Sequence, residues 1–471
     1  MNKVKGSKVF KAAVWYTISS FISKGILYLC TPLYTRLLTT AEYGQYSNFL
    51  SWQSILTALI TFDLSSSINT AYLDYKEGSS FDAFISTIAL FSMLIPAAIC
   101  FLSLFFFDSL RTLLDMNHTQ VIILISFLCF ANTLGIFQTE QNVRMKYKVS
   151  SFLTLLSSCG GVAVTLALVF LFPNKLNAIL VGNVILAEGI SMVLLIKMLI
   201  KNNHCQWKYL KYALTIAIPL VPHILASTIL GSSDKIMITK ICGSNETAFY
   251  SLIYTISMLV TMFASSINRA WVPWFFGRLK DQDYFSIKRA VRLMLPLGSM
   301  ASVMLCLLGP EIVQVVGGEK YREAIYLMPP LVLHSVVNYF STLYINIEFF
   351  QKKTFGISVA TVITSLVNVG LNYVCIRNFG YRAAAYTTLF SSMLSLAFHV
   401  IKIRRQNMWK VFDNQGNFKV LAATFALCLW TLFLYDYPII RGGCIVIAGL
   451  ALISIVFIRR NMIAELLGKG K

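Results

Sequence analysis

Apolar runs of about twenty residues, separated by short polar or basic connections, recur along the whole chain. That is the length at which an α-helix covers roughly 30 Å of hydrocarbon. The runs are continuous and lack the alternation of polar and apolar positions that marks a membrane barrel, so spanning helices are expected. Fourteen are placed near residues 9–36, 44–72, 83–107, 119–139, 151–172, 177–198, 213–233, 249–276, 291–309, 325–348, 355–376, 384–401, 419–435 and 439–458. The pattern therefore reads as an all-α polytopic membrane protein, with an even number of crossings returning the carboxyl terminus to the side of the amino terminus.

Composition agrees, since 57% of the 471 residues are hydrophobic and only 13% are charged, more apolar surface than a soluble globule can hide. The net charge of +20 would suggest nucleic acid in a soluble protein; here it reports topology, and no nucleic-acid partner is expected. Lys3, Lys5, Lys8 and Lys11 precede the first run and read as a cytoplasmic anchor rather than the start of a secretory signal. The basic connections at 197–211, 278–292 and 402–419 then fall on that same side, which becomes the cytoplasmic face. The acidic connection from Asp74 to Asp82 is the exception, although acidic residues weigh little in this rule.

The ten cysteines form no C-x-x-C pair and lie mostly inside apolar runs, so neither a disulfide framework nor a metal site is expected. There is no phosphate-binding glycine loop, zinc spacing or nucleophile elbow, and the outer connections are short. The sequence offers no enzyme and no cofactor.

The chain repeats itself. Residues 66–72 read Ser-Ser-Ile-Asn-Thr-Ala-Tyr and residues 265–271 read Ser-Ser-Ile-Asn-Arg-Ala-Trp. Upstream, Glu42 to Ser47 matches Glu246 to Ser251 at a different offset, so the repeat contains a small insertion or deletion. Spans one to six and seven to twelve would be two bundles entering the membrane in the same direction, an arrangement that places a substrate path between them. The expected divisions are an amino-terminal lobe at 1–200, a linker at 201–212, a second lobe at 213–405, and an appended pair of helices with a tail at 406–471. Pro219 and Pro222, one turn apart in span seven, remove two backbone donors and form the hinge candidate.

Charges inside spans cost ~2.5 to 3.5 kcal/mol each on insertion scales, so they face an aqueous cavity or a partner. Lys24, Asp63, Glu188 and Arg269 are such charges. Two cations in equivalent halves suit an anionic substrate, with Asn69 and Asn268 beside them as amides for sugar hydroxyls. The alternatives are internal pairing, for example Lys24 with Asp63, snorkelling by Arg269, and amides that only join helices. Asp63 and Glu188 are candidates for coupling to a proton or sodium ion. His223, His334 and His399 also lie in spans, where lone histidines are more often packed than functional.

The exit of span one, Pro32-Leu33-Tyr34-Thr35-Arg36-Leu37-Leu38, followed by Glu42-Tyr43-Gly44-Gln45-Tyr46, resembles the polysaccharide transport proteins. These are bacterial oligosaccharide and O-antigen flippases of the superfamily that includes MATE multidrug exporters and the lipid II flippase. Ile218-Pro219-Leu220-Val221-Pro222 with Ser233-Asp234-Lys235 is similar to the family's seventh span, Lys235 replacing the usual Arg, while Ala248-Phe249-Tyr250 departs from its Gly-x-Tyr. The resemblance implies a bacterial inner membrane, alternating access by two lobes and a cationic cavity for a polyprenyl-diphosphate oligosaccharide, with Lys24 and Arg269 the nearest matches by span to the essential arginines of the lipid II relative. It implies membrane lipids as surroundings, and a polysaccharide polymerase and chain-length regulator as partners. A cation-coupled multidrug exporter is the rival reading; such relatives carry a carboxylate in span one, which this chain lacks.

Overall fold

The computed structural model describes residues 2–75, 78–201 and 205–458, and among them there is no strand. The chain forms two compact units, residues 1–240 and 241–471. Span seven thus counts with the first unit and the carboxyl-terminal pair with the second. These lines differ from the lobes, linker and tail expected from sequence.

The first unit contains α1 (Asn2–Leu37), α2 (Thr40–Ile60), α3 (Ile68–Tyr75), α4 (Ser79–Leu104), α5 (Phe107–Leu114), α6 (His118–Phe130) and α7 (Thr133–Val143). It continues with α8 (Tyr147–Leu155), α9 (Gly161–Leu171), α10 (Lys175–Lys201), α11 (Trp207–Ala217) and α12 (Val221–Ile241). Several expected spans are therefore broken. A 3-10 turn, Leu64–Ser67, separates α2 from α3, and a π turn, Leu156–Gly160, separates α8 from α9. Where the two prolines of span seven withhold their donors, a 3-10 turn at Ile218–Leu220 interrupts the helix. One end of this unit is packed with rings: Phe81 and Phe84 are fully buried against Tyr72, Tyr75, Tyr209 and Tyr212. Elsewhere α9 and α10 cross so closely at Gly182 that a Cβ there would run into Thr165.

The second unit contains α13 (Ser244–Lys280), α14 (Tyr284–Leu307), α15 (Gly309–Val316), α16 (Met328–Phe350), α17 (Phe355–Phe379), α18 (Arg382–Arg405), α19 (Asn414–Leu434) and α20 (Pro438–Ile458). Helix α16 is its axis, packed against α13, α14, α18 and α19 and buried along most of its length. That position explains its composition. A helix so enclosed can carry His334, Asn346 and Glu348, because neighbouring helices supply their hydrogen bonds, and Asn338, which bonds to His334 one turn earlier.

Ten helical stretches among the described residues are long and apolar enough to cross a membrane. The four other expected spans each have a reason to fall short. Much of α1 has side chains outside the described residues, span two is broken, α16 is too polar, and α20 supplies the shorter apolar stretch Pro438–Ser454.

Five helices end with a non-glycine residue in the left-handed region: Asp115, Met145, Gln282, Lys352 and Asn407, with φ between 54° and 59°. In each case the following N–H bonds back to a carbonyl of the last turn, as Lys146 does to Gln141 and Lys353 to Glu348. The two remaining positive-φ residues that are not glycine, Phe62 and Asp63, sit in the middle of an expected span.

Candidate polar sites at membrane depth

Span two and its counterpart, span eight, start alike. Thr39 caps α2 and exchanges hydrogen bonds with Glu42, while Gly243 precedes α13 and the Glu246 carboxylate lies 3.1 Å from where its Cβ would be. From there they diverge: 27 residues separate Glu42 from Asn69, but 22 separate Glu246 from Asn268. The longer copy is the broken one. Its extra length falls where α2 stops, the chain turns through Phe62 (φ 49°) and Asp63 (φ 44°), and α3 restarts, whereas α13 runs unbroken for 37 residues. The left-handed backbone at two successive non-glycine residues costs of order 1 kcal/mol or more each. Local bonds offset part of it, with Ser65 donating to the Asp63 carboxylate at 2.7 Å and Ser66 donating to the Asp63 carbonyl at 2.8 Å.

Arg269 lies on α13, 11 residues before its last residue Lys280 and therefore roughly 16 Å short of that basic end. Its guanidinium is exposed and donates to Ser266 Oγ at 3.2 Å, with no carboxylate partner among the described residues. The adjacent Asn268 is not free: its carbonyl oxygen accepts from the Asn346 amide of α16 at 2.8 Å. Asn69 stands exposed on α3. Lys24 belongs to α1, but its side chain lies outside the described residues, as does any pairing of Lys24 with Asp63. Glu188, half-buried on α10, accepts from Ser126 of α6 at 2.9 Å. His223 follows Pro222 on α12, and its Nδ1 is buried with no partner among the described residues. Pro219 and Pro222 are themselves exposed around the 3-10 turn.

Most of the other amides and histidines join helices. Asn183 of α10 accepts from Tyr34 at 3.4 Å and Thr165 at 3.3 Å, and donates to Tyr46 at 3.3 Å, tying α1, α2, α9 and α10 together. Tyr34 and Tyr46 thus give the motif at the exit of span one a structural part: they meet across helices, which spacing alone does not reveal. In the second unit, Asn368 and Asn372 of α17 link to Thr388 and Thr387 of α18, and His334 lies between the Thr388 carbonyl and Asn338.

Two buried ionic clusters complete the inventory. Arg144 is held between Glu140, at 2.9 Å, and Asp82, and its guanidinium lies over the Phe81 ring at 4.9 Å. Glu348 is fully buried, bonded to His399 Nδ1 at 2.6 Å and to Lys402. Their traces in the sequence are Asp82, at the end of the acidic connection, and His399, as a histidine inside a span. Among the described residues no group of His, Cys, Asp and Glu is placed to hold a metal ion.

Comparison with known proteins sets this architecture in context. Residues 9–277 match the model of a family described as polysaccharide biosynthesis protein. Protein 1 of the Lsg locus of Haemophilus influenzae is 21% identical over 389 residues, covering 77% of this chain and 90% of that protein. Among solved structures, the lipid II flippase MurJ in an inward closed conformation aligns with a TM-score of 0.70 at 17% identity, covering 96% of this chain and all of the other. A MATE-family multidrug resistance transporter in an inward-facing conformation aligns with a TM-score of 0.63 at 15% identity, over 84% and 98% of the two chains. The fold is that of the MurJ and MATE transporters.

Proposed function

Because the chain belongs to the polysaccharide biosynthesis protein family, we propose that it is a flippase that moves polyprenyl-diphosphate oligosaccharide from the cytoplasmic to the outer leaflet of a bacterial inner membrane. Alternating access would drive the movement, in the service of O-antigen, capsule or exopolysaccharide assembly. The observation that carries this reading is Arg269. An exposed guanidinium within a spanning helix, satisfied by one serine and no carboxylate among the described residues, retains donors for an anion. A diphosphate fits such a group, because paired N–H donors match phosphate oxygens and the charge offsets their desolvation.

The rest of the machine is assigned as follows. Lys24 and Asn69 serve the first unit as Arg269 and Asn268 serve the second, the Asn268–Asn346 pair orienting the segment that presents Arg269. The interrupted helix at Pro219 and Pro222 is the hinge. Glu188 and Asp63 are the carboxyls available for proton or sodium coupling, Glu188 being the stronger candidate because it accepts from a neutral serine on another helix. A polymerase and a chain-length regulator would receive the product.

The test is translocation in cells or proteoliposomes, scored by access of an external probe to the lipid-linked sugar. Changing both Arg269 and Lys24 to Ala should abolish the outward signal while expression and membrane insertion persist. Full translocation by that well-folded double variant would overturn the reading. Drug efflux without dependence on lipid-linked sugar would replace it with the exporter.

A further inference from the structure

The second unit holds a cavity of about 710 Å³ away from all the groups discussed so far. Its walls come from α15, the 3-10 segment Glu319–Leu327, the end of α19 and the start of α20. Local sequence dictates this shape. Gly318 turns the chain after α15 at φ 79°, the 3-10 segment then runs directly into α16, and Pro438 restarts the helix three residues beyond Tyr435. Tyr435 is fixed by donating to the Cys306 carbonyl at 3.1 Å, and its ring meets Tyr326 edge-on at 6.0 Å.

Which face of the membrane this is follows from α16. The cavity adjoins the start of that helix, and Glu348 lies near its end, so its 23 residues put roughly 34 Å between the two. Lys352, Lys353, Lys402, Arg404 and Arg405 gather at the Glu348 end. That end is cytoplasmic by the positive-inside rule, and the cavity opens on the other face.

Arg441 is the decisive side chain. It is only 6% exposed, is paired through one terminal nitrogen with Glu311, and keeps a buried Nε–H with no acceptor among the described residues. An unsatisfied buried donor is unfavourable unless a ligand supplies the missing acceptor. It lines this cavity together with Arg322, Glu323 and Asp436 and the two tyrosines.

The balance of charge selects the ligand. Three carboxylates and two guanidiniums line the cavity, Arg322 is itself engaged by Glu319 at 3.2 Å, and Arg382 stands beside Glu323 and Tyr326, so the charges nearly balance and favour neither a phosphate nor a free cation. A free cation would meet the two arginines. A neutral, hydroxyl-rich ring satisfies both kinds of wall: its hydroxyls donate to Glu323 and Asp436 and accept from Arg441, while its C–H face lies against the half-buried Tyr326. We infer that this is a glycan-binding site on the outer face, separate from the membrane-depth cations, which holds sugar hydroxyls of the oligosaccharide after its head group has crossed. The identity of the glycan rests on the flippase reading; the pocket chemistry does not.

The experiment uses the purified full chain in nanodiscs and, as probe, the free oligosaccharide released by mild acid from the host's lipid-linked precursor, carrying neither lipid nor diphosphate. Saturation-transfer NMR should show binding to the unaltered protein. Arg441→Ala should abolish it. Because that change also strips Glu311 of its partner, the rim double variant Glu323→Gln with Asp436→Asn is the companion, expected to weaken binding at least tenfold in a protein that folds normally. Unchanged binding in the rim variant would overturn the site. So would absence of binding to an unaltered protein that still translocates, a result that leaves the flippase reading standing. Binding that depends on Glu323 and Asp436 in a protein that fails to translocate would keep the site and remove that reading instead.

Discussion

The two buried ionic clusters occupy corresponding places and are built with opposite signs. In the first unit, a cation is the hub: Arg144 sits just past α7 and serves Glu140 of its own helix and Asp82 of α4. In the second, an anion is the hub: Glu348 near the end of α16 serves His399 and Lys402 of α18. Both helices finish with the same backbone closure, Met145 and Lys352 each left-handed and the next N–H bonded back. The difference lies in what the partners can do if the hub is lost. Each hub holds one buried partner, Glu140 at 5% exposed and His399 at 2%, and one that is 21% exposed, Asp82 and Lys402, so the contrast is chemical: the buried partner is a carboxylate in the first unit and an imidazole in the second, and a neutral imidazole costs less to leave unpaired than a carboxylate. The first unit is thus clamped through a buried carboxylate, the second through a buried imidazole.

This asymmetry orders the effects of removing each hub. Arg144→Ala leaves two acids without their cation, one of them deeply buried, and removes the guanidinium over Phe81; it should cost about 3 to 5 kcal/mol. Glu348→Gln preserves shape and leaves partners that can adapt, so its cost should be nearer 2 kcal/mol. Thermal denaturation in detergent, followed by loss of monodisperse protein, checks both. Equal losses would break the comparison, and a larger loss for Glu348→Gln would reverse it.

Neither cluster was legible in the sequence, and the reason is instructive. Apolar periodicity finds spans because burial in lipid constrains every position, but an ion pair is a property of two distant segments. Asp82 and Arg144 are 62 residues apart, and Glu348 and Lys402 are 54 apart. The repeat was more legible than its consequence. Ser-Ser-Ile-Asn in both halves located Asn69 and Asn268, and the change of offset signalled extra residues, yet nothing in an apolar stretch says that they break the helix at Phe62 and Asp63 rather than lengthen a loop. Prolines were more informative, because a missing N–H acts locally: Pro219 and Pro222 marked the interruption at Ile218–Leu220 directly. Helix α16 was legible as the span 325–348, but nothing in its sequence says that its neighbours make it the central helix of its unit.

A finer cut at the second cluster is Gly356. A Cβ at that position would collide with the Lys402 side chain, whose Nζ donates to Glu348 and, at 3.1 Å, to the Lys353 carbonyl. Gly356→Ala should therefore push the ammonium toward water while leaving His399 on Glu348. A loss of about 1 to 2 kcal/mol is expected, smaller than for Glu348→Gln because the lysine is re-solvated rather than deleted. If the alanine is tolerated without change, Lys402 does not contribute to the cluster and the second hub reduces to a carboxyl–histidine pair.

The last test asks whether burial, rather than pairing, is what gives these clusters their weight. Arg292 of α14 and Asp413 at the start of α19 form a forked ion pair of 2.8 and 3.0 Å in the same unit, but Arg292 is 63% exposed. The guanidinium, followed by the Gly416 backbone N–H, holds the Asp413 carboxyl below its ordinary range. A depressed carboxyl contributes stability that is present above its unfolded pKa of about 4 and is lost as pH falls through the lower folded value. Arg292→Ala should cost at most about 0.5 kcal/mol at neutral pH, because solvent screens the pair, and the difference from the unaltered protein should vanish as the pH drops below about 4. Asp413→Ala should cost about 1 kcal/mol, since it also removes the cap that accepts from Gly416. Melting curves of the three proteins between acid and neutral pH decide the matter. A penalty for Arg292→Ala as large as that for Arg144→Ala would show that geometry alone sets the strength of these pairs, and the contrast drawn between the two buried hubs would lose its physical basis.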